Sequence, residues 1–98
     1  MKIKRKIAIN KKAKTDAEKY PRVICKWYDI QADSSWRSIK DLMEDELPIC
    51  TTTGHLLSQS KGITRIFGDF QDDENKKIVD IGNTTIIPNS VIVSIEKI

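Results

Sequence analysis

The chain is poor in the residues that build most catalytic and metal centres. Among its 98 residues there is one histidine, His55, and there are two cysteines, Cys25 and Cys50. The cysteines form no CxxC pair and have no histidine at ligand spacing, so no zinc or redox motif is encoded. Both fall in strand-like segments and are read as small buried hydrophobes of a reducing compartment. The P-loop pattern GxxxxGK[ST] is missing. No apolar run approaches the ~18 residues of a membrane span, so no membrane contact is expected. The first segment, MKIKRKIAIN, is basic but lacks the apolar core of roughly 7–15 residues that marks a signal peptide, which points to the cytoplasm. No cofactor is expected, and no residue set has the spacing of a known catalytic site; the chain is not read as an enzyme.

What is present is a single small domain. A chain of this length buries only roughly 60–65% of its unfolded surface, which leaves little room for an internal cofactor cavity and puts function on the surface. The formal net charge of +3 hides a division. Residues 1–22 carry nine Lys or Arg against Asp16 and Glu18, a net +7, while the remainder carries eight basic and twelve acidic groups, a net −4. A basic arm, residues 1–22, thus precedes a body, residues 23–98, that is acidic overall.

Hydrophobic periodicity supplies the fold class. In the arm, Ile3, Ile7 and Ile9 alternate weakly, and Pro21 ends it. Residues 22–30 alternate as a first strand. Asp33, Ser34 and Ser35 form an N-cap cluster ahead of Trp36, Ile39, Leu42 and Met43, whose spacing predicts a helix to about Asp45. At under ~12 residues such a helix is marginal alone and is expected to dock. Pro48 precedes a strand over 49–60, with Gly54 marking a bend or bulge. A tight turn at Ser60, Lys61 and Gly62 leads to a return strand over 63–70, followed by the acidic loop QDDENK. The segment 77–98 reads as two strands hinged at Pro88, Asn89 and Ser90, the closing hairpin of a small barrel or curled sheet, with Ile87 and Val93 facing the core. The expected fold is mainly β (α+β): five strands in a strongly bent antiparallel sheet or barrel, with one short helix after the first strand.

Candidate binding residues each carry a bland and a functional reading. Trp27 and Trp36 fit core positions; as a surface pair they would stack on a base or nucleotide. Asp29 follows a strand, where it caps a turn or serves as a binding carboxylate. Thr51 and Thr53, beside Gly54, fill a strand or hold a phosphate through hydroxyls. His55 has no nucleophile or ligand partner nearby in sequence, which favours a structural role. The runs Glu44, Asp45, Glu46 and Asp72, Asp73, Glu74 lack an EF-hand loop and read as solvated faces or as an attraction for a basic partner. In the arm, Lys2, Lys4, Arg5, Lys6, Lys11, Lys12 and Lys14 could contact phosphates, a nonspecific and salt-sensitive mode of nucleic-acid binding.

The constellation Trp27-x-Asp29-Ile30, Ser35-Trp36, Pro48, Thr53-Gly54-His55 and Ile87-Pro88 followed by Val91-x-Val93-x-x-Glu96 resembles a set of small proteins encoded by tailed bacteriophages, over residues 23–98. The C-terminal strand, Pro-containing turn and strand also resemble Sm-like small barrels, with the helix here after the first strand instead of before it. The phage resemblance implies a non-enzymatic protein that acts stoichiometrically on a host or defence component, either a protein or a nucleotide signal. The alternative is a nucleic-acid-binding barrel with the arm as phosphate clamp. Self-association into a homo-oligomer is expected through the apolar edge strand 91–98.

Overall fold

The computed structural model describes Ile7 and residues 15–98. In chain order the elements are α1 (Asp16–Lys19), β1 (Arg22–Tyr28), α2 (Ile39–Glu44), β2 (Ile49–Ser60), β3 (Ile63–Asp72), β4 (Ile78–Pro88), a 3₁₀ turn (Asn89–Val91) and β5 (Ile92–Lys97). The five strands form one antiparallel sheet in the order β4-β3-β2-β1-β5. The sheet is open, and a short helix follows the first strand, as the periodicity predicts.

Local chemistry explains the β2–β3 turn. Lys61 (φ 56°) and Gly62 (φ 75°) both sit in the left-handed region, the geometry of a two-residue loop whose twist matches that of the flanking strands. Pairing of β2 with β3 runs from Ser60↔Ile63 only as far as His55↔Phe67. Beyond it the sheet splits into two ribbons: the first half of β2 pairs with β1 alone, and the outer half of β3 with β4 alone.

The C-terminal strands do not form a hairpin. β4 and β5 occupy opposite edges of the sheet, and the segment between them is a crossover. Asn89 anchors it: its N–H donates to the Gly62 carbonyl at 2.9 Å, and the hydroxyl of buried Thr64 donates to its Oδ1 at 2.7 Å. Period-two alternation identifies strands but not their neighbours, and here Pro88 and the 3₁₀ turn redirect the chain instead of reversing it.

The β5 register corrects the core as well. Lys26 pairs Ser94 but Trp27 pairs Ile92, so Val93 is the extra residue of a β-bulge. Alternation slips by one position there; Ile92 and Ile95 are buried while Val93 is only half-buried. A second register shift, between Leu56 and Ser58, places the β2 bulge at Leu57 and not at Gly54. Gly54 has a different role. A Cβ there would lie 2.7 Å from the Phe67 carbonyl oxygen and 2.8 Å from Ile66 Cγ2, so only glycine lets β2 approach β3 this closely.

The core comprises Val23, Cys25, Leu56, Ile66, Ile87, Ile92 and Ile95, with Ile7, Trp27 and Val91 packed against it. Ile87 is buried as its periodicity predicts. Burial pushes the Cys25 thiol up to about 11. A separate aromatic cluster is centred on buried Phe67, on which the His55 ring stacks at 5.2 Å, with Tyr20 and Phe70 meeting Phe67 edge-on. Residues before position 23 join the body at several points. The Pro21 carbonyl accepts from Leu56 N–H at 2.9 Å, the Ile7 N–H donates to Gln59 Oε1 at 3.1 Å, and Asp16 Oδ2 accepts from Ile78 N–H at 3.0 Å.

The helix departs most from expectation. It spans Ile39–Glu44 and is capped by Ser38, whose hydroxyl accepts from the Asp41 N–H at 3.0 Å. Asp33 uses its carboxylate earlier, accepting from the Ser35 N–H at 2.9 Å and the Ser35 hydroxyl at 2.7 Å, which closes a separate turn and leaves Trp36 outside the helix. Nor does the helix dock on the sheet. None of its residues is buried.

Candidate functional site

The β1–β2 connection is the most distinctive surface of the molecule. Tyr28 pairs Ile49 at the end of the ribbon, and the Asp29 N–H donates to the Pro48 carbonyl at 3.0 Å, closing a neck. Beyond it, every residue from 30 to 47 is exposed.

This excursion is structured although it is undocked. The Asp33–Ser35 turn and the Ser38 cap fix its first half, and the Asp45 N–H closes the helix on the Leu42 carbonyl at 3.3 Å. Arg37 Nη1 meets Asp45 Oδ2 at 2.6 Å, tying the residue before the cap to the residue after the helix. The Arg37 guanidinium holds the Asp45 carboxyl below the usual carboxylate range, and the Ser35 N–H and hydroxyl do the same for Asp33. An open concavity of about 1040 Å³ lies within the excursion, lined in part by Gln31, Trp36, Leu42, Leu47 and Pro48.

Its chemistry is apolar and acidic. Trp36 is 102% exposed, Ile39 85%, Met43 81% and Leu42 65%, and Ile30 and Leu47 are exposed as well. Ile39, Leu42 and Met43 recur at i, i+3 and i+4 and therefore share one face of α2. Residues 29–48 carry six carboxylates (Asp29, Asp33, Asp41, Glu44, Asp45, Glu46) against Arg37 and Lys40, a net −4. The whole acidic excess of the body therefore resides in this segment.

The residues singled out from sequence fall in different places. Trp27 packs half-buried against the core, and its indole N–H donates to Thr52 Oγ1 at 3.0 Å. Asp29 holds the neck, receiving a side-chain contact from Gln31 Nε2 at 3.4 Å, and it adds to burial in raising the Cys50 thiol. Trp36 is not a core residue; it stands exposed on the excursion, outside the helix that Ser38 caps and beyond the neck closed by Asp29 and Pro48. Thr51 and Thr53 are exposed on β2, flanking Thr52. His55 lies elsewhere, its Nδ1 2.9 Å from the Tyr20 carbonyl and its ring between Phe67 and Phe70, a structural position. Lys2, Lys4, Arg5, Lys6, Lys11, Lys12 and Lys14 lie outside the described residues.

Sequence reasoning missed Ile30, Ile39, Leu42, Met43 and Leu47 as surface. No signal in the sequence tells them from a docked face: Ile39, Leu42 and Met43 have the spacing of a helix packed on a core, and whether it docks depends on the tertiary fold. Among the described residues, no group of three or more His, Cys, Asp or Glu side chains is placed to hold a metal ion, and no helix is long and apolar enough to cross a membrane. No family model, curated protein or solved structure matches the chain.

Proposed function

We propose that this chain is a non-enzymatic binding protein, of the phage-encoded kind its motifs resemble, which acts stoichiometrically on a protein component of a host or its defences. The excursion at residues 30–47 is its docking element. One observation carries the reading: Trp36, Ile39, Leu42 and Met43 are held in defined geometry and left uncovered by the described residues of their own chain. Exposed apolar patches of this kind mark interaction sites, and aromatic anchors dominate interface energetics. The acidic groups around the patch favour a partner with a basic rim, through faster encounter and fixed register.

Site-specific photo-cross-linking tests this reading. The full-length chain carrying a benzophenone amino acid at position 36 is irradiated in the bacterial cells that express it. A discrete adduct to one host protein, lost when Leu42→Glu is added, supports the proposal. Adducts to nucleic acid alone would replace it with the phosphate-clamp reading of the basic arm, and no heterologous adduct at all would overturn it.

A further inference from the structure

An open sheet has two edges, and the chain treats them differently. β4 is guarded along its length. The Asp16 N–H donates to the Lys76 carbonyl at 3.3 Å and Asp16 Oδ2 accepts from the Ile78 N–H, which caps the start of this edge. Val79 is the extra residue of a bulge, since Gln71 pairs Asp80 but Asp72 pairs Ile78. Asn83, at φ 50°, interrupts the extended run, and Pro88, which has no N–H, ends it. Devices of this kind keep an edge from pairing. β5 has none of them after its bulge at Val93. The Ile98 N–H donates to the Arg22 carbonyl at 2.9 Å, and hydrogen-bonded pairs recur at every second residue of an antiparallel ladder. Glu96 and Ser94 therefore turn their backbone groups toward β1, while Ile95 and Lys97 turn theirs outward, where no strand of the described residues meets them.

The side chains select the same strand of a second copy, in one register. A two-fold antiparallel pair must set outward residues against outward residues. An axis at Lys97 puts two lysines face to face, and an axis at Glu96 puts two glutamates face to face, both of which repel. An axis at Ile95 avoids both and sets Glu96 opposite Ser94 of the second copy. Within each copy Ser94 already lies opposite Lys26, on the exposed face of the sheet. Lys26 of one copy and Glu96 of the other then flank a single small serine, two strand spacings or about 9.6 Å apart, within the joint reach of both side chains. This pair forms twice, once on each side of the axis. Neither residue has an ion-pair partner among the described residues.

We propose that the protein pairs with a second copy of itself edge to edge, β5 against β5, antiparallel about Ile95, so that two five-stranded sheets become one of ten strands. Two-fold closure uses up the free edge, and the guarded β4 edges stop assembly at a dimer. β1 runs toward the excursion and β5 away from it, so the axis sends the two excursions to opposite ends of the joint sheet. Self-pairing therefore leaves both excursions open, and it does not rest on the docking role given to them above.

Sedimentation equilibrium of the full-length chain at about 100 µM, where mass action favours association, tests it. The wild-type mass should be that of a dimer. Lys97→Pro should be monomeric with an unchanged circular dichroism spectrum, because it removes an outward N–H that the sheet itself does not use. Lys26→Glu alone and Glu96→Lys alone should each weaken association by roughly three- to thirty-fold, since each turns two symmetric exposed pairs into like-charge contacts. The combined Lys26→Glu, Glu96→Lys protein should regain wild-type affinity. Amide exchange reads the register: the Ile95 N–H should gain protection as concentration rises, while those of Ser94 and Glu96 are protected throughout. A monomeric wild type, a dimer indifferent to Lys97→Pro, a double swap that fails to restore association, or exchange at Ile95 that ignores concentration each overturns the proposal. The two ideas fail separately. A monomer that still forms a heterologous adduct at position 36 removes the dimer and keeps the docking role, while a dimer without such an adduct does the reverse.

Discussion

The indole N–H of Trp27 donates to the hydroxyl of Thr52 across β1 and β2 at 3.0 Å. The two residues sit two positions apart in register on the ribbon that supports the excursion: Trp27 pairs with Cys50, and Cys25 with Thr52. The bond lets a large aromatic pack on the core without stranding its polar edge.

Replacing Thr52 with Val should therefore cost about 1 kcal/mol, because the part-buried indole N–H loses its acceptor. Urea denaturation checks this. A change within ~0.3 kcal/mol would mean that water replaces the hydroxyl fully.

The β5 bulge makes a paired prediction. Ile92→Ala should cost ~2–5 kcal/mol, as a buried aliphatic truncation does, and Val93→Ala less than ~1 kcal/mol. Equal costs at both positions in denaturant titrations would mean an unbulged register.

Gly54→Ala should destabilise by ~1–3 kcal/mol, since the added methyl meets backbone at 2.7 Å that cannot swing aside. Thermal unfolding monitored by circular dichroism measures the loss. An unaffected melting temperature would contradict the close approach of β2 to β3.

The two thiols should differ in reactivity. Cys25 is buried and raised by that burial to about 11, whereas Cys50 is partly exposed, so a disulfide reagent at mildly alkaline pH should label Cys50 first and Cys25 only at the rate of unfolding. The sign of the linked stability follows. The folded state favours the neutral thiol, so this contribution is whole below the ordinary value of 9.0 and is lost as pH climbs toward about 11, where the unfolded chain ionises first. Labelling of Cys25 as fast as Cys50 in the folded protein would contradict its burial.

Strand identities, the tight turn at Lys61 and Gly62 and the position of the helix were legible because each rests on local chemistry: alternation, turn residues and a proline stop. Strand order was not, because nothing local in residues 77–98 says that Pro88 and Asn89 lead to the far edge of the sheet. The anchor is Thr64, distant in sequence. Val93 was misplaced for a related reason: a bulge inverts the alternation without changing the residue pattern. Trp36 shows the limit for the site. Its spacing with Ile39 and Met43 reports a helix with one apolar face, but whether that face meets its own sheet or another molecule depends on how much apolar surface the sheet has left.

The exposure of Trp36 is the most direct test of the account. With Trp27→Phe introduced, Trp36 is the sole indole, and its fluorescence at high dilution, well below about 1 µM, reports the excursion alone. We predict water-like emission and unhindered collisional quenching. Blue-shifted, quencher-protected emission already at high dilution would place Trp36 against its own domain and contradict the docking role.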